Sequence, residues 1–162
     1  MFRAIGPKLE LSSLENEMLF YEIVEDLLET DAVESLDEYT QHRGTSRLQH
    51  SIDVAYRSFC VAKVLRLDYR SVARGALLHD LFLFDWRKTG VSGLMHAREH
   101  PNTALANAEE ITELNDIEKD IIIKHMWPLT IAPPKYAESH IVSLVDKVCT
   151  VMEVFKRKAR KL

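Results

Sequence analysis

Cysteine is scarce in this sequence, and the two that occur, Cys60 and Cys149, are far apart and form no CxxC pair. We therefore expect two free thiols in a reducing compartment and no disulfide framework. No stretch approaches the roughly 18 consecutive apolar residues that a membrane-spanning helix needs. The first residues also lack the basic and then apolar pattern of a secretory signal. These absences predict a cytoplasmic protein without a membrane partner.

Several common functional motifs are absent as well. The chain has only five glycines and contains no GxGxxG, Walker loop, Gly-x-Ser-x-Gly elbow or HExxH. No alternation of apolar and polar residues and no Asn-Gly turn predicts a hairpin. The formal net charge is −4, and the basic run at 156–161 has no aromatic residues between its charges. We therefore expect no nucleic-acid partner.

Charge is distributed unevenly along the chain. Between Leu9 and His42 there are eleven acidic residues and no Lys or Arg, whereas the tail at 156–162 is mostly basic. We interpret these segments as solvated helix faces and a frayed terminus. The alternative is that the acidic segment docks on the basic tail, within one chain or between the subunits of a homodimer.

Helical periodicity runs through most of the sequence. At 162 residues and 46% hydrophobic content, the chain suits a single domain over 1–162 with a sizeable core. Apolar spacing predicts helices over Ser12–Thr30, Ser35–Gln41, Arg47–Leu65, Tyr69–Leu78, Pro101–Ile111, Asp116–Lys124 and from Ser139 onward. We therefore predict an all-α helix bundle, with its main body over about 41–156 and acidic helices over 12–41.

Capping signals and prolines mark where these helices should begin. Ser12, Ser46, Asp68 and Ser139 each precede a helical pattern and can cap it. Pro101 suits the first turn of a helix, which would leave His96 outside that helix. The long irregular stretch that remains, 81–99, should form the rim of a pocket, since connections of this length are often functional.

Histidines and aspartates recur at about one per helix. The set is His50, His79, Asp80, His100, His125 and Asp146, with gaps of 29, 20, 25 and 21 residues. About one helix and one loop separate successive members, so a bundle can direct all of them into one pocket. Imidazole and carboxylate suit first-row divalent ions, and a metal compensates a buried carboxylate such as Asp146. Alone, His125 could be a hydrogen-bonded core residue and His100 a helix-start residue, but jointly the six predict a metal centre.

This ordered set resembles the HD-domain superfamily of metal-dependent phosphohydrolases, and more closely its six-ligand, two-metal branch. The resemblance covers roughly 41–156 and includes the segments 46–51 (SRLQHS), 76–80 (ALLHD) and 144–147 (LVDK). It implies an HD-type helix bundle with a dinuclear site in its core. By this resemblance the first ion is held by His50, His79, Asp80 and Asp146. Asp80 would bridge to a second ion, completed by His100 and His125.

The resemblance also implies an activity. Two iron, manganese, zinc or cobalt ions would activate a hydroxide that attacks a phosphomonoester or phosphodiester, with His79 and Asp80 at the catalytic centre. The substrate would be a nucleotide or another small phosphorylated metabolite. Two alternatives remain open: a diiron oxygenase with the same ligands, and a regulatory module that binds a nucleotide without cleaving it.

The residues after Asp80 depart from the family pattern. Many members follow His-Asp with Ile-Gly-Lys, whereas this chain continues with Leu81-Phe82-Leu83-Phe84. The charge that faces the phosphate must therefore come from elsewhere. Our candidates for substrate contacts are Arg87, Lys88, His96 and Lys147.

Overall fold

Helices account for nearly all regular structure in the computed structural model, which describes residues 7–42 and 44–159. In this described part, the seven α-helices are α1 (Pro7–Leu28), α2 (Asp31–Glu34), α3 (Arg47–Val64), α4 (Tyr69–Leu78), α5 (Gly93–Ile111), α6 (Asp116–Lys124) and α7 (Ala137–Ala159). Two short 3₁₀ helices cover Ser35–Glu38 and Trp86–Lys88. The prediction of an all-α bundle is confirmed. Among the described helices, none combines the length and the apolar character needed to cross a membrane.

Local capping explains the helix starts that the sequence predicts correctly. The Ser46 side chain accepts a hydrogen bond from the amide of Gln49 at the start of α3. The Asp68 carboxylate accepts one from Ser71 at the start of α4. Each bond satisfies an amide that has no partner within its helix, which fixes the first turn. The bounds of α4 and α6 agree with the prediction.

Three predicted helix starts are wrong. Helix α1 begins at Pro7 instead of Ser12, because proline fits a first helical position, where no amide donor is needed. Helix α7 begins at Ala137, so Ser139 lies inside it. Helix α5 begins at Gly93, where the Ser92 side chain caps it. The predicted basic tail at 156–162 lies outside the residues whose side chains are described.

Proline and histidine therefore take different places in α5 from those predicted. Pro101 lies within the helix, where its ring costs one backbone hydrogen bond but does not end the helix. His96 is also inside α5, one turn before His100, and the irregular stretch ends at residue 92 instead of 99.

The predicted helix over 35–41 is only partly present: residues 35–38 form a 3₁₀ helix, and a small hairpin replaces the rest of the predicted helix and the loop after it. Strand β1 (Thr40–His42) pairs antiparallel with β2 (Thr45–Ser46). Gly44 lies between them with φ of 112°, a conformation that favours glycine. The amide of Arg47 donates to the Tyr39 carbonyl over 2.8 Å, which ties the hairpin to the start of α3. The hairpin thereby places β1 beside the ends of α3 and α4.

Helix α4 is central in the bundle and packs against α3 and α6. Seven of its ten residues are buried, and five of these belong to one apolar cluster that also includes residues of α1, α3, α5, α6 and α7. A Cβ added at Gly75 would lie 3.0 Å from Ile121 Cδ1 and 3.1 Å from Glu118 Cα. Glycine thus permits a close approach of α4 and α6, whose C-terminal ends carry His79 and His125.

Candidate metal centre

Five helices bring the six predicted ligands together at one place in the bundle. His50 lies in the first turn of α3, His100 is in the middle of α5, and Asp146 is in the middle of α7. His79 and Asp80 directly follow α4, and His125 directly follows α6. None of the six is more than 8% exposed to solvent. The helix packing therefore creates a buried cluster of imidazoles and carboxylates.

One group in this cluster surrounds the carboxylate of Asp146. Asp146 Oδ1 lies 3.0 Å from His50 Nε2 and 3.7 Å from His79 Nε2. The ligand atoms of these three residues all lie within 4.8 Å of one another. Three donor atoms this close, on buried side chains, form a group that could hold one metal ion.

A second group surrounds the carboxylate of Asp80. Asp80 Oδ1 lies 3.2 Å from His100 Nε2 and 3.5 Å from His125 Nε2. Asp80 Oδ2 lies 3.6 Å from His79 Nε2, on the side of the first group. The two oxygens of Asp80 thus face different histidines, which is the arrangement expected of a bridging carboxylate.

Main-chain carbonyls orient three of the four histidine rings. Each of these rings places Nδ1 within 2.7–3.0 Å of a carbonyl oxygen one turn earlier, in the pairs His79–Ala76, His100–His96 and His125–Ile122. A carbonyl can only accept, so Nδ1 carries the proton. In the neutral ring, Nε2 is then left with a lone pair directed into the cluster, as metal-ligating histidines require.

These three nitrogens face one another and the carboxylates of the cluster. His79 Nε2 is buried and has no hydrogen-bond partner among the described residues. His100 Nε2 and His125 Nε2 lie 2.9 Å apart, and two lone pairs at that distance repel each other unless a proton or a cation lies near both. Divalent ions in the cluster would satisfy these nitrogens. The donor set therefore fits a metal, and with no thiolate it suits first-row ions.

The carboxylates of the cluster remain ionised. Burial would raise the pKa of Asp80. In the metal-free protein, however, the charge of a protonated His79 and the hydrogen bonds that His100 and His125 donate when Nε2 carries a proton hold it well below its usual range. The pKa of Asp146 is likewise depressed against the effect of burial, chiefly by its hydrogen bond with His50. Two buried negative charges need positive compensation. In the metal-free protein a proton on Nε2 of His50 supplies part of it, because the hydrogen bonds with Asp146 and Glu153 raise the pKa of His50 to about 10 against the effect of burial. A metal ion at the same nitrogen can replace that proton.

Glu153 belongs to the site although sequence reasoning did not select it. Its Oε1 accepts a hydrogen bond from His50 Nδ1 over 2.9 Å, and its side chain is only 8% exposed. Glu153 follows Asp146 by seven residues, or two helical turns, and so shares a face of α7 with it. An acidic residue on an otherwise apolar stripe was the signal that could have identified it.

Gln41 and Arg47 form a second set of contacts that the sequence did not reveal. Gln41 Nε2 donates to Asp80 Oδ2 over 2.5 Å. Arg47 Nε donates to Gln41 Oε1 over 3.0 Å, which determines that the amide nitrogen of Gln41 faces Asp80. Arg47 is 1% exposed, stacks 3.6 Å from the centre of the Phe82 ring and donates to the Phe82 carbonyl. Because the hairpin creates these contacts, no local pattern could predict them.

A pocket of about 450 Å³ opens onto the cluster. Its polar floor includes Asp80, His100, His125 and Asp146. Its walls are mostly apolar or aromatic and include Phe82, Trp86, Ala97, Met126, Leu129 and Val151. Part of this wall comes from the segment 81–99, which we expected at the rim.

Of the predicted substrate contacts, Arg87 and His96 line this pocket. The guanidinium of Arg87 donates to the carbonyls of Thr40 and Gln41, and His96 stacks on Trp86 with ring centres 4.8 Å apart. The side chain of Lys88 is 84% exposed and is not among the residues that line the pocket. Contact with a substrate remains a prediction for all three.

The fourth predicted contact, Lys147, lines the pocket but is held by the protein. Its Nζ donates to the carbonyls of His125 and Ser143 and to the Ser143 hydroxyl, each over 2.9 Å. An ammonium has three protons to donate, so these bonds occupy it fully. Lys147 thus secures the end of α6 against α7, and its contact with a substrate remains a prediction.

Comparison with protein families, curated proteins and solved structures gave no match for this chain. The geometry alone shows a buried cluster of histidines and aspartates in a helical core, and this cluster could bind metal ions. Membership of the HD superfamily remains a prediction from the ordered residues.

Proposed function

We propose that this protein is an HD-type phosphohydrolase that uses two divalent metal ions to cleave a small phosphorylated substrate. The observation that carries the proposal is the position of Asp80, whose two oxygens face different histidine groups at the floor of a pocket. A carboxylate in that position can bridge two ions. The pocket gives a small substrate access to them.

Each ion has a distinct set of protein ligands in this proposal. His50, His79 and Asp146 would hold the first ion, together with Asp80 Oδ2. His100 and His125 would hold the second, together with Asp80 Oδ1. When bound, such a pair of iron, manganese, zinc or cobalt ions lowers the pKa of a water molecule and polarises a phosphoryl oxygen.

The remaining residues of the pocket would bind and orient the substrate. Gln41 holds Asp80 in place through its amide, and Arg87 provides a positive charge at the wall. The flat rings of Phe82 and Trp86 at the pocket wall suit the organic part of a nucleotide or similar metabolite. We propose that this activity is cytoplasmic and involves neither nucleic acid nor a membrane.

The test is metal reconstitution followed by activity measurements. Protein purified without oxygen would be loaded with iron, manganese, zinc or cobalt, and its metal content would be measured by mass spectrometry. We expect close to two ions per chain and metal-dependent release of phosphate from a panel of phosphomonoesters and phosphodiesters. His100→Ala should remove one ion and leave the other. A well-folded protein that stays metal-free under all four conditions would contradict the proposal.

The character of the pocket wall favours one alternative, a diiron oxygenase. The wall is largely apolar, and the cations of Arg87 and Lys147 are engaged with main-chain carbonyls. An apolar substrate would suit such a wall. Oxygen consumption by the iron-loaded protein, without phosphate release from the panel, would select this alternative. Tight binding of a nucleotide with neither reaction would select the regulatory module.

A further inference from the structure

His50 differs from the other three histidines of the cluster in what holds its ring. His79, His100 and His125 each donate through Nδ1 to a main-chain carbonyl. His50 Nδ1 lies 2.9 Å from the Oε1 atom of Glu153, a carboxylate oxygen. A hydrogen bond to an ionised acceptor is roughly twice as strong as one between neutral groups. A charged carboxylate therefore orients the ring of His50, whereas neutral main-chain carbonyl groups orient the other three rings.

The carboxylate of Glu153 is buried with only part of its hydrogen-bonding capacity satisfied. Its side chain is 8% exposed, and its second oxygen, Oε2, is buried and has no hydrogen-bond partner among the residues whose side chains are described. A buried carboxylate that is only partly hydrogen-bonded costs free energy unless a positive charge compensates it. Among the described residues, His50 contacts this carboxylate and could carry such a charge, either as a protonated ring or as a ring bound to a metal ion.

The position of Glu153 on α7 also links it to the proposed first ion. Glu153 and Asp146 lie two turns apart on one face of the helix, and both contact His50, one at each ring nitrogen. Helix α7 packs against α3, which carries His50. One helix therefore supplies both a carboxylate for the first ion and the carboxylate that holds another of its ligands.

We propose that Glu153 is a positioning residue for the first metal ion. It fixes the proton of His50 on Nδ1, directs the Nε2 lone pair toward the ion and makes that nitrogen a stronger donor. This inference rests on the proposed metal centre. Glu153 would thus support a ligand without being one itself. Metal binding at the first site would then depend on a residue that is not among the six predicted ligands.

The experiment measures metal affinity at the first site alone. His100→Ala, which should retain only that site, serves as the background for titration with Co²⁺ followed by visible absorption. Adding Glu153→Ala should weaken Co²⁺ binding about 10- to 100-fold, the range found when such supporting residues are removed. Adding Glu153→Gln keeps an acceptor of the same shape without the charge, so its affinity should fall between those of the background and the alanine variant. The absorption band of bound Co²⁺ should also shift in the Gln variant.

The matched control is Glu138→Gln in the same background. Glu138 is also on α7 and is also largely buried, but its Oε1 accepts from the amide of Asp68 at the start of α4, away from the cluster. Its replacement should leave the Co²⁺ affinity and the absorption band unchanged.

The possible outcomes separate this inference from the proposed function. If the background binds Co²⁺ and both Glu153 variants bind it as tightly as the Glu138→Gln control, the inference is wrong and the metal centre stands. If neither the wild-type protein nor the background binds metal, both fail. Should Glu153→Ala prove unfolded, the nearly isosteric Gln variant decides: unchanged affinity and an unchanged band would overturn the inference.

Discussion

The carboxylate of Asp80 lies between the two histidine groups. Its Oδ1 is 3.2 Å from His100 Nε2 and its Oδ2 is 3.6 Å from His79 Nε2. Asp80→Asn keeps the shape of the side chain but supplies a neutral amide with one good metal-binding oxygen. We expect it to reduce occupancy of both metal sites and to abolish hydrolysis while the helices remain folded. Metal stoichiometry, far-ultraviolet circular dichroism and activity measure these three effects.

The control for that variant is Asp53→Asn on α3, whose carboxylate accepts from Gln49 Nε2 away from the cluster. Metal content and activity should not change there. A folded, fully metallated and active Asp80→Asn protein would show that Asp80 does not bridge two ions.

Arg47 is charged and buried beside the centre, where its guanidinium contacts Gln41 and the Phe82 carbonyl. Burial lowers its pKa to about 10, so the group remains positive at neutral pH. Lysine cannot reproduce the planar arrangement of donors. Arg47→Lys should therefore leave at least one buried acceptor unpaired and lower the free energy of unfolding by about 1–3 kcal/mol. Denaturant unfolding measures this loss.

Arg57→Lys provides the comparison, because Arg57 lies on the same helix and is exposed. Its free energy of unfolding should stay within about 0.5 kcal/mol of wild type. Equal stability of the two variants would mean that the contacts of Arg47 with Gln41 and Phe82 contribute little.

At the scale of elements, the close packing of α4 against α6 determines how near His79 lies to His125. Their ring centres are 4.9 Å apart, and an added methyl at Gly75 would press on the backbone of α6 at Glu118. Gly75→Ala should therefore separate the two helices, lower the free energy of unfolding by about 1–3 kcal/mol and reduce occupancy of the second metal site. Unfolding curves and metal content test both effects.

Gly93→Ala is the matched change at a site with more room, since the nearest atom to an added Cβ would be 3.7 Å away on Trp86. Gly93→Ala should change the free energy of unfolding by no more than about 0.5 kcal/mol and should leave the metal content unchanged. If Gly75→Ala behaved in the same way, the packing of α4 and α6 would not control the geometry of the centre.

Elements with local signals could be predicted from the sequence. Helix α4 begins after Asp68 and α6 after Asn115, and in each case the capping side chain lies within three residues of the amide that it binds. The hairpin and the start of α5 could not be predicted in this way. In α5 a proline signal at Pro101 competed with a serine cap at Ser92, and the serine determined the helix start.

At the candidate site, too, features with a local sequence signal could be predicted and features that depend on long-range contacts could not. The six ligands were identifiable because each is a chemically distinctive residue at about one per helix. Gln41 and Arg47 were not, because their contacts arise from the hairpin beside α3. Glu153 had a local signal, as an acidic residue on an apolar stripe, but its contact with His50 arises from the packing of α7 against α3. These features depend on residues distant in sequence, which a local pattern does not contain.

At the scale of the whole molecule, the apolar core and the metal centre are separable. The buried apolar cluster joins α1, α3, α4, α5, α6 and α7 and includes none of the six ligands. The metal-free protein should therefore remain helical but unfold at a lower temperature. At a free-metal concentration about 1,000 times the Kd, bound metal adds about 4 kcal/mol. For a chain of this size that corresponds to a rise of about 8–16 °C in Tm.

Thermal unfolding with a chelator and with added metal measures this difference. Asp80→Asn, with its impaired sites, should show a much smaller rise than wild type under the same conditions. An equal rise in both proteins would mean that the metal acts elsewhere on the molecule.

The way the rings are held has a consequence for evolutionary drift. A main-chain carbonyl is present whatever the residue, so positions 76 and 122 can mutate, within the limits of core packing, without turning His79 or His125. His50 has no such protection, because a side chain orients it. Positions 50 and 153 should therefore covary among descendants of this sequence, and a lineage that loses one is expected to lose the other.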